Sequence, residues 1–377
     1  MISWQEIPGS RTFISSVSRS LADGRNVILV VPSHDFDGLV ESIQHSEEHG
    51  RQWNWIWEVS EQSLEPLHQL QSITGFQQSN DEPLSAHALA SSELVRGQVL
   101  AVRVTAERWP MWKQLVVRYE NACRAVQPFH RPLLFLVVGR DCLATMPRED
   151  VCLTVHNWAG AVSSLDAQIV AESSARVSGG SRLVRSLSVS IAVEIGLWDL
   201  ELCHQLSQAN VNVLLSPIAF LKEYGSRRGM DSGIADLAAT DLFRLSLIDH
   251  YSGKLEPHSA YLALHGLEAR VMHRLWKAEM RLLLPLIEER RLDVIDVIGP
   301  RLRLPHTTVD GETLTSADEL EIGHVYHQIT ALGIKCSLAI RQQVTVLRGM
   351  RNRLAHTRPI GIELIGMLSC LEGHSDV

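Results

Sequence analysis

An α/β amino-terminal domain followed by a predominantly helical carboxy-terminal region is the fold class this sequence predicts, and three observations carry it. Short apolar runs alternate with amphipathic or polar stretches over the first 160 residues. From about Ala161 the strand-like runs mostly vanish and apolar residues recur at helical spacing. The chain of 377 residues, 45% apolar and 21% charged, has ordinary globular composition and length enough for two or three cores.

Five segments read as buried strands: Asn26–Pro32 (NVILVVP), Trp53–Val59 (WNWIWEV), Gly97–Val104 (GQVLAVRV), Leu133–Gly139 (LLFLVVG) and Val151–Val155 (VCLTV). Between the third and fourth, Met111–Val126 has Trp112, Leu115, Val116, Tyr119 and Ala122 at helical spacing. Near-continuous apolar strands separated by helices describe a mostly parallel sheet covered on both faces. Gln77–Ser92 is the most loop-like interruption.

In the helical part, Leu183–Leu206 forms one stretch and Leu262–Ile287 a longer one ending around Pro285, with Gly225–Gly233 as an exposed loop between them. The Ser/Gly cluster Ser173–Ser181 is the expected hinge. Pro300–Glu312 looks irregular. Ser316–Ala317–Asp318–Glu319 then matches a capping box, opening a helix through Leu320, Val325 and Ile329 to near Gly333. A further helix runs from about Ile334 to His356 and is stopped by Pro359, which disfavours helix at the residue before it. The expected organisation is an α/β domain at 1–160, a helical middle region at 161–260 and a terminal helical domain at 261–377.

No run approaches the roughly 18 apolar residues of a membrane span. The opening MISWQEIPGSR lacks the basic-then-apolar order of a signal peptide, so the expected location is cytoplasmic, without a membrane partner. Cys123, Cys142, Cys152, Cys203, Cys336 and Cys370 form no CxxC pair, which points to reduced thiols rather than a zinc knuckle or a disulfide framework. The formal net charge of −8 excludes indiscriminate nucleic-acid binding by the whole surface. A local basic patch exists nonetheless: Arg341, Arg348, Arg351, Arg353 and Arg358 follow one another with no acidic residue between them.

Where a phosphate-binding loop would follow the first strand, Ser33–His34–Asp35–Phe36–Asp37–Gly38 has no GxxxxGK[ST] pattern. The third strand ends in Val104–Thr105–Ala106 instead of the acidic pair that would hold magnesium. The amino-terminal domain therefore looks like a P-loop ATPase-type domain lacking its phosphate-binding loop, and an unrelated α/β scaffold accounts for the same strand rhythm. On either reading ATP hydrolysis and a bound cofactor are not expected. Asp35 and Asp37 could ligate a metal, but a solvated turn capping the next helix explains the same residues and is the preferred reading. Glu321 and His324 have the E-x-x-H spacing of a di-metal helix without a second copy on a facing helix, since Glu65–His68 is interrupted by Pro66. No metal site is assigned.

The string Arg351–Asn352–Arg353–Leu354–Ala355–His356 has the pattern R-N-x-x-x-H, which resembles the signature of the HEPN superfamily of small helical domains. The preceding LEIGHVYHQI from Leu320 to Ile329 fits the helical setting of that motif, and the resemblance covers roughly Leu262–Leu371. It implies a helical bundle at 261–377 that dimerises and acts as a metal-independent endoribonuclease, with a composite cleft between protomers.

The chemistry can be stated without the family. RNA supplies its own nucleophile, the 2′-hydroxyl; a histidine can move the proton, and an arginine can grip phosphate oxygens bidentately. Arg351, Asn352 and His356 are thus the candidate catalytic residues, and Arg341, Arg348, Arg353 and Arg358 the candidate RNA contacts. Asn352 and His356 lie at i, i+4, where the amide could orient the imidazole, whereas Arg351 points elsewhere on a regular helix. Domains similar to these also serve as non-catalytic RNA-binding or dimerisation modules. A regulatory domain joined to a HEPN-like domain resembles prokaryotic anti-phage or toxin-type systems, in which protein partners are implied. The rival reading is a scaffold that assembles other subunits of a defence complex.

Overall fold

A computed structural model describes residues 4–32, 37–46, 54–59, 64–76, 84–178, 181–231 and 238–372. The region up to the fifth strand contains α1 (Pro8–Ala22), β1 (Asn26–Val31), α2 (Asp37–Gln44), β2 (Asn54–Val59), α3 (Pro66–Thr74), α4 (Ala86–Ser91), β3 (Gln98–Val104), α5 (Trp109–Cys123), β4 (Leu133–Gly139) and β5 (Leu153–Asn157). Then come α6 (Ser164–Ser178), α7 (Arg182–Gly196), α8 (Leu200–Gln208), α9 (Val211–Leu215), α10 (Ile218–Arg227), α11 (Ala239–Arg244) and the strands β6 (Ile248–Tyr251) and β7 (Lys254–Pro257). The remainder is α12 (Ser259–Leu264), α13 (Glu268–Ile298), β8 (His306–Thr307), β9 (Thr313–Leu314), α14 (Ile322–Thr330), α15 (Leu338–Ala355) and α16 (Ile362–Glu372). Two compact units result, Met1–Asp166 with Gly233–Pro257, and Ala167–Ser232 with His258–Val377.

The first unit is built on the expected parallel sheet, in the order β2-β3-β4-β1-β5. β1 is buried at every position and β4 at all but its last, because parallel strands in mid-sheet are covered on both faces. On one face Trp112, Leu115, Val116 and Tyr119 of α5 pack over Leu100, Val102, Leu134 and Leu136. Buried polar groups fix the register: the Asn26 side chain accepts from the Leu134 amide at 2.9 Å, and Tyr119 donates to the Pro132 carbonyl at 2.6 Å. Arg131, also buried, donates to the carbonyls of Cys123, Val126 and Gly24. Of the Ser33–Gly38 loop, residues 33–36, including Asp35, lie outside the described residues, as do residues 77–83 of the Gln77–Ser92 stretch, whose remainder contains the helix α4 and not only loop, and part of the Ser173–Ser181 cluster.

The second part of this unit, Gly233–Pro257, is attached by charge. Arg140, 0% exposed at the end of β4, pairs with Asp249 of β6, 2% exposed. The other Asp249 oxygen accepts from the Gly160 amide at 3.1 Å and the His250 amide at 2.6 Å. The Arg140 guanidinium also lies 4.7 Å from the centroid of the Phe243 ring. Gly160 has φ +71°, and a Cβ there would stand 3.2 Å from that of His250, so a side chain would push the β6–β7 hairpin away.

The second unit is helical apart from the two-residue strands β8, within the Pro300–Glu312 segment expected to be irregular, and β9, just after it. Several helix limits differ from expectation. Leu183–Leu206 is two helices, because Leu197 turns the chain at φ 55° and Asp199 caps α8 through the Leu202 amide at 2.9 Å. Asp199 also accepts from Tyr224 at 2.6 Å and from His258 Nε2 at 3.1 Å. His258 Nδ1 accepts from the Ala260 amide, so its proton sits on Nε2.

Gly266, at φ +74°, separates α12 from α13, which continues through Pro285 to Ile298. An interior proline costs about 3 kcal/mol. Full burial of Leu283, Ile287, Val294, Ile295 and Ile298 along one face outweighs it, at roughly 1.5–3 kcal/mol per large side chain. Of the Gly225–Gly233 stretch expected as a loop, residues 225–227 are the end of α10, where Gly225 packs on Ala260 and Leu264, residues 228–231 are turn as expected, and residues 232–233 lie outside the described residues. The Ser316–Glu319 capping box opens only a single 3-10 turn, and α14 begins after Glu321. α15 starts at its cap, Ser337, rather than at Ile334, and α16 follows Pro359. α13 packs against α7 and α15, and α15 against α14 and α16. No helix among the described residues is long and apolar enough to cross a membrane.

Removing one partner of a buried ion pair strands the other charge, typically at a cost of about 3–5 kcal/mol. Asp249→Ala should therefore lower the calorimetric transition of the sheet-containing unit by that order, and Arg140→Met with Asp249→Leu should recover most of it. An Asp249→Ala transition within experimental error of the parent would contradict this role.

Candidate functional site

α15 displays the arginine cluster because its apolar residues are spaced for one buried face. Val344, Leu347, Met350 and Leu354 turn inward, leaving Arg341, Arg348, Asn352 and Arg353 exposed and Arg351 half-buried. Two side chains from α13 fasten the carboxy-terminal end of this helix. Trp276 Nε1 donates to the Leu354 carbonyl at 2.8 Å, and the Ile360 amide donates to Glu279 at 2.7 Å. Trp276 and Glu279 are one turn apart, so one face of α13 holds both sides of the α15–α16 turn.

The structure distributes the motif residues. Arg351 donates to the Glu321 carboxylate at 2.6 Å, turning toward the start of α14. Arg348 lies over the Tyr326 ring of α14, 4.3 Å from its centroid. Arg353 Nε donates to the Pro359 carbonyl at 2.8 Å, and Arg358 closes the turn through its backbone amide. His356 is the exposed C-cap, its amide donating to the carbonyls of Asn352 and Arg353, and Thr357 follows at φ 56°. Among the described residues no hydrogen bond joins the Asn352 amide to the His356 ring, and Arg341 is exposed with no ion-pair partner. Within the chain, then, Arg351 is brought to α14, and His356 remains at the helix end.

Two groups in the same unit as the motif were not singled out as sites from sequence. Glu279 is fully buried, with Oε2 bonded to Ile360 and Oε1 without a partner. Burial pushes its carboxyl up to about 8, against the smaller opposing pulls of the Ile360 amide and the Arg353 guanidinium. His306 of β8 has its ring centroid 5.1 Å from that of His324 and 6.4 Å from that of His327. Glu65–His68 is a local pair, with Glu65 capping α3 and His68 Nδ1 3.4 Å from its carboxylate. Among the described residues no group of three or more His, Cys, Asp or Glu side chains could hold a metal ion. The E-x-x-H spacing of Glu321 and His324 was the visible trace of the histidine cluster; the third ring comes from a hairpin that spacing cannot reveal.

Comparison with protein-family models, curated proteins and solved structures finds no match to this chain.

The raised Glu279 pKa makes a signed prediction. The folded state holds the proton more tightly than the unfolded chain, so this contribution is complete below the ordinary carboxyl range near 4.5 and is lost as pH rises through about 8. Glu279→Gln keeps an acceptor for the Ile360 amide without a charge. Melting temperatures measured from pH 5 to 9 should fall with pH more steeply in the parent than in the variant; parallel curves would contradict the assignment.

Proposed function

We propose that the helical unit binds RNA along α15 and cleaves it without a metal ion, as the effector part of a prokaryotic anti-phage or toxin-type system. The observation that carries this reading is the R-N-x-x-x-H string, set at the end of a helix whose outward face is lined with arginine and has no acidic residue. Phosphate contacts by such a face release counterions, and the guanidinium geometry suits paired phosphate oxygens. Arg351 would stabilise the phosphorane, His356 would transfer a proton, and Asn352 would support them. Exposure of His356 at the helix cap agrees with a cleft completed by a second copy of the chain.

A second reading is favoured by one contact. Arg351 is already neutralised by Glu321 at 2.6 Å, which suits a scaffold that assembles protein partners without catalysis. The same contact also suits a resting enzyme whose arginine is released by RNA.

Cleavage assays in EDTA separate the two. The ribonuclease reading expects the parent to cut RNA and spare a 2′-deoxy analogue. Arg351→Ala and His356→Ala should each lose roughly 10²–10³-fold or more in rate, the usual scale for a proton-transfer group or an oxyanion-type donor. Equal cleavage by a folded His356→Ala protein would remove His356 from the mechanism. In binding assays Arg348→Glu and Arg353→Glu should weaken RNA affinity and flatten its salt dependence. Glu321→Gln should strengthen it by freeing Arg351, and affinity unchanged in all three would turn the arginine face over to folding or a protein partner.

A further inference from the structure

The ribonuclease reading leaves one difficulty that the structure itself answers. Cleavage by the 2′-hydroxyl needs two proton transfers, one from the nucleophile and one to the leaving group, and a single His356 per motif supplies one of them. Arg351, moreover, faces α14 rather than the His356 cap. At α14 the guanidinium meets Glu321, and the Glu321 amide donates to His324 Nδ1 at 3.2 Å. Glu321 thus links the motif arginine to an imidazole. His324 in turn lies against His306, which also neighbours His327 one turn further along α14.

We propose that His306, with His324 as a positioning residue and Arg351 as the phosphate-gripping group, forms the proton-accepting subsite of the RNA-cleaving centre, with His356 giving the other proton transfer, an inference that rests on the ribonuclease reading. The bonding assigns the roles. His324 has its Nδ1 occupied by a backbone donor, so it carries its proton on Nε2 and is held in place. His306 is half-buried, and burial, followed by the neighbouring His324 and His327, holds its pKa below the ordinary imidazole value. That favours the neutral, proton-accepting form of His306.

The step balances without a co-reactant. His306 takes the proton of the 2′-hydroxyl as O2′ bonds to phosphorus. The P–O5′ bond breaks, and O5′ takes a proton from protonated His356. The products are a 2′,3′-cyclic phosphate and a free 5′-hydroxyl, and the two imidazoles have exchanged protonation states.

Two measurements on the full chain test this. The first follows the imidazole resonances against pH with and without uridine 3′-monophosphate. Bound phosphate should favour the protonated ring, raising the midpoint of His306, and an unmoved midpoint would overturn the subsite. A merely structural cluster would show no such response. The second measures RNA cleavage in EDTA by the parent and His306→Gln, the variant checked for folding by its amide spectrum. A loss of roughly 10²–10⁴-fold is expected. A parental rate in the folded variant would overturn the proton-accepting role while leaving the ribonuclease reading in place. A parent that cuts no RNA would overturn that reading and this subsite together.

Discussion

The pairing of Arg140 with Asp249 decides how this chain is organised. Residues 233–257 follow five helices in sequence, yet they belong to the unit that contains the parallel sheet. Two charges without water are tolerated only when each is matched, and here the match is dense: the carboxylate takes the guanidinium on one side and the amides of Gly160 and His250 on the other. Phe243 covers the guanidinium, and Gly160 leaves room for the hairpin to approach. Through this pair the end of β4, the turn after β5 and the β6–β7 hairpin become one structure.

In the helical unit the comparable role falls to α13. Its apolar face continues past Pro285 because the side chains beyond the proline are buried deeply enough to outweigh the lost backbone bond. Its partly buried side then provides Trp276 and Glu279 to the turn that ends α15. Asp199 serves the other end of the unit, gathering α8, α10 and the start of α12 through Leu202, Tyr224 and His258. Desolvation of this carboxylate is more than offset by His258, Arg228 and Tyr224, which hold its pKa well below the usual range. The arginine face of α15 is therefore presented by buried polar contacts and packing on other helices.

The sheet was legible in the sequence because strands buried on both faces must be apolar at nearly every position, as NVILVV and LLFLVVG are. The helical texture after Ala161 was equally plain. Limits set by tertiary contacts were not. The break at Leu197 depends on a positive φ and on the Asp199 cap, and the passage of α13 through Pro285 depends on burial that local propensity does not express. The candidate site divides the same way: R-N-x-x-x-H could be read as spacing along one helix, and so could Glu321 with His324. That Arg351 meets Glu321, and that His306 arrives from β8, are long-range facts with no local signal.

In the proposed reaction RNA would be cut at this unit by its own 2′-hydroxyl, with imidazole and guanidinium groups in attendance. End-group analysis of RNA cleaved by the full chain in EDTA addresses that most directly. Attack by the 2′-hydroxyl leaves a 2′,3′-cyclic phosphate and a 5′-hydroxyl, which is the result the account predicts; 3′-hydroxyl and 5′-phosphate ends, the products of attack by water, would contradict it.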